Sequence, residues 1–411
     1  MKLSSLNWKR GKNARQSGRR LAYLTVVCLI LHITVPGFAA EWSLVPSMST
    51  KAYYNDNLLL TPLPHDPTYG YWISPGVEFA GKTERLEVSG KGALDFVDYY
   101  GGEPNRFTNV FLPLTMKYRT ERDEWGFTGG FTRDNTLMGE LLTTGLVLRF
   151  TQRNLWTVNP TWAHTITEKW AFQSTFQFND SSYQDGGRFG LVDYQVFGGS
   201  AGFVYRPTER DEIQLTGTYN NFHTANAPFG LRATYPGAIL SASREFTETM
   251  KATVYGGPRF ISTTSQSGGT SQTTQESIWV YGATLIKEFE QARLQVTAAR
   301  DILPSGFGLL VQTDRLSLLT SYDLAETVTA SIDLSGYWVS GASPIARGGT
   351  LPENQLFYCT PKLQWKFSEW WRFEASYSYR LRDAQSLSDP ATSNALTLMV
   401  TYYPSKLAFS D

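Results

Sequence analysis

From Phe357 to Arg382, apolar and polar residues alternate. Phe357, Cys359, Pro361, Leu363, Trp365 and Phe367 take every second position, with Thr360, Lys362, Gln364 and Lys366 between them. After a turn at Ser368-Glu369, Trp371, Phe373, Ala375, Tyr377, Tyr379 and Leu381 alternate with Arg372, Glu374, Ser376, Ser378, Arg380 and Arg382. A period of two is a strand with one apolar and one polar face. Each arm is about twice the roughly 5–6 residues usual for a soluble strand. It is close to the roughly 9–11 residues that cross a bilayer at a tilt.

The unit recurs. The pattern predicts strands at 42–54, 69–81, 85–98, 107–119, 124–134, 152–166, 169–180, 191–206, 211–223, 232–246, 250–261, 277–289, 292–302, 309–323, 327–339, 354–367, 370–382 and 393–403. No 3.6-residue period stands out beyond residue 40, and no stretch there is long and apolar enough for a spanning helix.

The connections alternate in length. Short turns fall at Lys82-Thr83-Glu84, Thr120-Glu121, Thr167-Glu168, Thr208-Glu209, Thr247-Glu248, Glu290-Gln291, Ala325-Glu326 and Ser368-Glu369. Glu84, Glu121, Glu168, Glu209, Glu248, Glu326 and Glu369 each follow a small residue, and the turns recur about every 40 residues. The other connections are mostly longer and rich in Gly, Ser, Asn and Asp, as at 262–276 and 340–353. An even strand count puts both termini on the short-turn side, the periplasmic side in bacterial outer-membrane barrels. Residues 143–151 are assigned to a long connection, because a further strand there would separate the termini. Pro113, Pro160 and Pro258 fall inside predicted strands, where each removes a ladder donor.

The apolar face is unusually aromatic, as at Trp156, Trp162, Trp170, Phe172, Trp371 and Tyr379, which suits interfacial girdles. The opposite face carries mid-strand charge, as at Glu87, Lys91 and Asp95. A soluble sandwich or propeller core would bury such charges unpaired, whereas a wet lumen hydrates them. The expectation is an all-β, transmembrane, antiparallel up-and-down barrel of about 18 strands, occupying 41–411 as a single domain in the outer membrane of a Gram-negative bacterium.

Residues 1–40 read as a cleaved secretory signal. Lys2, Lys9, Arg10, Lys12, Arg15, Arg19 and Arg20 precede an apolar run from Leu21 to Val35, with small residues at Gly37-Phe38-Ala39-Ala40. Val27 before Cys28 argues against lipidation. Of 37 basic and 37 acidic residues, removal of these seven cations leaves 30 against 37, so the mature chain is acidic. Cys359 is then its sole cysteine, so no internal disulfide can form.

Tyr54-Asn55-Asp56-Asn57 resembles the Tyr-Asp-Asp-Asn signature of an outer-membrane β-barrel porin family associated with exopolysaccharide and exosortase (PEP-CTERM) loci. Further matches are Arg133-Asp134-Asn135-Thr136 with Thr144-Gly145, Pro160-Thr161-Trp162, Leu191-Val192-Asp193-Tyr194, and Arg300-Asp301 with Pro304-Ser305-Gly306 and Gly308. The resemblance spans most of the mature chain and implies location and gene context more than chemistry. Asn55 departs from the family's Asp, which weakens a metal reading there.

Catalytic chemistry is sparse. His65, His164 and His223 lack metal-ligand spacing and a nucleophile pattern. Asn55-Asp56-Asn57 and Asp180-Ser181-Ser182 offer calcium-type oxygens, but Asx turns account for them more simply. Gly198-Gly199 and Gly256-Gly257 mark bulges or close backbone approach rather than a phosphate cradle. No cofactor and no nucleic-acid partner is expected. Outer-membrane lipid is, with polysaccharide and periplasmic export components as further candidates.

Closing the barrel brings the last strands beside the first. That seam gathers Lys91, Lys117, Arg119, Lys362, Lys366, Arg372, Arg380 and Arg382 against Glu87, Asp95 and Glu374. Such an excess would concentrate anions; a mixed, ion-paired lumen is the simpler alternative. The leading functional expectation is a pore linked to exopolysaccharide export. The alternatives are a general diffusion porin and, with less support, an outer-membrane lipid-modifying enzyme.

Overall fold

A computed structural model describes residues 41–410 except 64–65, 145–149, 226–229, 268–269, 343–352 and 386. The expected leader at 1–40, His65 and most of the 340–353 connection lie outside the described residues.

The strands are β1 (Glu41–Asn55), β2 (Thr68–Lys82), β3 (Leu86–Gly101), β4 (Asn105–Arg119), β5 (Asp123–Asn135), β6 (Gln152–Thr165), β7 (Trp170–Tyr183), β8 (Asp193–Thr208) and β9 (Asp211–Ala225). Next comes β10, in two pieces, Gly230–Thr234 and Gly237–Thr247, that share the same neighbours. The rest are β11 (Met250–Ser267), β12 (Thr270–Glu288), β13 (Ala292–Pro304), β14 (Leu310–Ala325), β15 (Val328–Gly341), β16 (Asn354–Lys366), β17 (Trp371–Ala384) and β18 (Ala391–Tyr402). Each pairs antiparallel with its sequence neighbours. β1 closes on β18 from Met48↔Tyr402 to Asn55↔Ala395, giving an 18-stranded closed barrel. A short β19 (Leu407–Ser410) lies along Glu41 to Leu44 of β1.

All eight short turns fall between strands at one end of the wall, the turn end. Of the connection expected at 143–151, residues 143–144 and 150–151 lie between β5 and β6, and 145–149 lie outside the described residues. The other end, the loop end, is less uniform than its composition suggests. Residues 262–276 are largely strand: β11 and β12 run on to Ser267 and Thr270, with Thr264 and Thr273 hydroxyls bonded at 3.0 Å. Polar Ser, Thr and Gln on both faces leave no hydrophobic period to mark such a hairpin.

The prolines are absorbed by one-sided gaps. Pro113 stays in register with Gly130, but the β3–β4 ladder breaks between Gly90↔Leu114 and Ala93↔Phe111. Pro160 keeps Phe127 and interrupts β6–β7, and Pro258 keeps Trp279 and interrupts β10–β11. Each proline lacks the N–H that one side of the ladder needs. At Gly198 and Gly257 an added Cβ would collide with the Tyr219 and Ala238 carbonyl oxygens, so both mark close backbone approach.

The outward face is apolar and uncovered. Tyr54, Tyr69 and Tyr100 form a ladder at the loop end, with ring centroids 5.4 and 5.7 Å apart. Near the turn end Trp125 stacks on Trp162 at 5.6 Å, and Trp371 meets Tyr402 at 4.8 Å. Between these belts lie aliphatic residues such as Leu112, Leu215, Leu240 and Leu363, all exposed. A continuous apolar belt of this kind is stable only in lipid.

Candidate functional site: the barrel lumen

The lumen has two unlike halves. Toward the turn end its wall carries ion pairs. Lys91 meets Glu78 at 2.9 Å, Lys117 meets Glu124 at 3.3 Å, and Lys362 meets Glu374 at 3.6 Å. Arg119 bridges Glu124 at 2.8 Å and Glu87 at 3.4 Å. Glu78 and Glu124, absent from the sequence-level inventory of this wall, supply the missing counter-charges. Asp95 and Glu374 both act on Lys51, whose ammonium sits 3.9 Å over the Trp72 ring.

Three arginines of β17 differ. Arg372 lies over the Tyr403 ring, 5.0 Å from its centroid. Arg382 donates to Asn354 Oδ1 at 3.0 Å and to the Leu60 carbonyl at 3.4 Å. Arg380, Arg382 and Lys366 form no ion pair with a carboxylate among the described residues. The seam is therefore mixed, and its cations without an ion pair among the described residues lie on β16 and β17.

The loop-end half is narrowed by connections that fold inward. The β1–β2 connection buries Leu58 in one apolar cluster, with Trp72, Val97, Tyr99 and Phe107. It buries Leu60 in a second cluster, with Phe222, Ile261, Leu310 and Leu356. Leu60 has φ +50°, a strained conformation for a branched side chain that its complete burial offsets. The β7–β8 connection adds Leu191, and the Val192 N–H reaches the Gly306 carbonyl at 2.8 Å.

Residues 136–144 of the β5–β6 connection form a strap across the lumen. Asn135 caps its first turn, accepting from the Met138 N–H at 3.0 Å. Two short helical turns follow, Thr136–Gly139 and Leu141–Thr144. Leu137 enters the first apolar cluster and Leu141 the second. At its far side Thr313 Oγ1 of β14 donates to the Thr144 carbonyl at 3.2 Å.

A buried charge cluster holds the strap to the wall. Arg153 of β6 forks onto Asp134 of β5, Nε to Oδ1 at 3.0 Å and Nη2 to Oδ2 at 2.8 Å. Its Nη1 reaches Glu140 of the strap at 3.4 Å, and the Tyr183 hydroxyl donates to the same carboxylate. Asp134, Glu140 and Arg153 are 5%, 1% and 7% exposed. Burial pushes the Glu140 carboxyl above its ordinary range, against the opposing pull of Arg153, Tyr183 and the Gly306 backbone. A Cβ at Gly139 would strike the Arg153 guanidinium, so only glycine permits this approach.

Sequence reasoning missed Glu140, Arg153 and Tyr183. The available signal was Leu137, Leu141 and Leu142, apolar residues in a connection expected to be polar. Several motifs quoted for the family resemblance mark these joints. Asp134 anchors the strap, Leu191 is core, Asp193 accepts the Tyr183 N–H at 2.9 Å, and Asn55, Asp56 and Asn57 stitch the seam. Their oxygens are thus engaged in turns and ladders. Among the described residues no group of three or more His, Cys, Asp and Glu could hold a metal. His164 Nδ1 lies 2.8 Å from Asp123 Oδ1, beside Trp162 at the turn end.

No protein-family model matches the chain, and no curated protein does. Among solved structures it is similar to Acinetobacter baumannii OccAB3 (TM-score 0.44, 11% identity, covering 91% of this chain and 100% of that one). It is also similar to Pseudomonas aeruginosa OccK7 (OpdD) (0.44, 11%, 90% and 99%). A third is the alcaligin outer-membrane receptor FauA of Bordetella pertussis (0.42, 10%, 90% and 76%). None of these links the chain to exopolysaccharide or exosortase loci.

Proposed function

We propose that the protein is an outer-membrane diffusion pore for small hydrophilic solutes. The supporting observation is a closed barrel with an apolar belt outside and an ion-paired lumen inside, narrowed at its loop end by the strap. The barrel sits in the outer membrane of a Gram-negative cell, with its turn end and both termini periplasmic. An empty barrel of this strand count would leave a broad aqueous bore. Here a polysaccharide chain would have to displace a packed apolar core, so the export reading has less support than the general pore. Arg380, without an ion-pair partner among the described residues, favours anionic solutes over cations.

Purified protein in planar bilayers, with liposome swelling in sugars of increasing size, tests the reading. Stable conductance and a small exclusion limit are expected. Absence of both would refute a pore and leave a structural or enzymatic barrel.

A further inference from the structure

We infer that Arg153 is the positioning residue that holds the strap across the lumen and thereby sets the size limit of the pore, an inference that rests on the pore reading above. Two carboxylates converge on this one guanidinium, Asp134 from the wall and Glu140 from the strap. All three groups are almost fully buried, so water cannot take over if one leaves. Removing one partner of such a cluster strands the others' charge, whereas removing all the charges together is close to neutral.

Besides this cluster, the described part of the strap is attached through contacts that include the Asn135 cap, the Thr136–Thr151 backbone bond at 3.0 Å, the Thr144–Thr313 contact, the Gly306 backbone bond to Glu140 and two leucines. On its β5 side Arg153 sits in an uninterrupted ladder from Asp123↔His164 to Asn135↔Gln152. Loss of the guanidinium therefore acts on the strap before it acts on the barrel.

The test combines a positional readout with a transport readout on the full mature chain. In a Cys359→Ser background, Leu141→Cys places a thiol where the strap is buried, and maleimide labelling reports strap release. Arg153→Met should speed labelling several-fold, raise conductance and admit larger sugars, with the gel-mobility shift of a closed barrel retained. Asp134→Asn/Glu140→Gln/Arg153→Met should return all three readouts toward wild type. Should Arg153→Met fail to assemble, Arg153→Lys, which keeps the charge and loses the fork, decides by the same labelling.

Labelling unchanged by the Arg153 variants would overturn the inference. So would a neutral triple variant as open as the single one. Faster labelling without conductance in any variant would keep the positioning role and reject the pore.

Discussion

The Asp56 carboxylate accepts two hydrogen bonds from Asn394, from the backbone N–H at 2.7 Å and from the side-chain amide at 2.6 Å. The two residues are 338 positions apart, so this pair locks the first connection to the last strand where the barrel closes. Asn57 Nδ2 to the Thr392 carbonyl at 2.7 Å and Ser393 Oγ to Asn55 Oδ1 at 2.9 Å extend the lock. Bonds to a charged acceptor contribute roughly 1.5–3 kcal/mol. Asp56→Ala should therefore lower the temperature at which the folded band is lost on unboiled gels. Asn394→Ala should do the same, and the two should be non-additive. Additive losses would show that the residues act independently.

Orientation is testable by labelling. Ser388 lies exposed at the loop end and Ser368 at the turn end. With Cys359 replaced by Ser, a cysteine at Ser388 should react from outside intact cells and one at Ser368 should not. The reverse pattern would invert the barrel in its membrane.

Charge placed on the two faces of β17 should behave differently. Tyr377 is 44% exposed on the outward face. Tyr377→Arg should reduce assembly, because a cation on the lipid face costs roughly 2–4 kcal/mol near the midplane. Arg380→Glu, on the inward face and without an ion-pair partner among the described residues, should assemble normally and shift reversal potential in a salt gradient toward cations. Arg372 and Arg382 are poorer choices, since each also packs or bonds within the wall. An unchanged reversal potential would mean that Arg380 is not on the solute path.

The strap should respond to pH. Glu140 faces Arg153, Asp134, Tyr183 and Tyr194, and its carboxyl is raised by burial when the strap is docked. A raised docked value means that the docked form binds the proton more tightly. Stabilisation by protonation is then fully present below the undocked value and lost as pH rises through the docked one. Mild acidification across that window should favour the docked strap and lower conductance, and Glu140→Gln should abolish the response. Conductance that rises on acidification in wild type would contradict this sign.

The strand content, the turns and the alternation that gives a strand its two faces were legible in the sequence. A period of two assigns every side chain to one face, and short Glu-bearing turns leave few alternatives for which strands are neighbours. Phe357 to Arg382 shows this directly, with Leu363 and Trp365 outward and Lys362 paired to Glu374 inward. Only the tertiary structure decided what fills the lumen. The counter-charges Glu78 and Glu124 follow from strand register, which composition does not report. The β11–β12 hairpin carries polar residues on both faces and so has no hydrophobic period. The strap depends on Glu140 meeting Arg153, on Leu137 joining a cluster with Leu58 and Trp72, and on Leu141 joining one that reaches Leu310 and Leu356. Such contacts exist only after the wall has closed, because a loop side chain has no periodic neighbour to declare its direction until a surface is there to bury it.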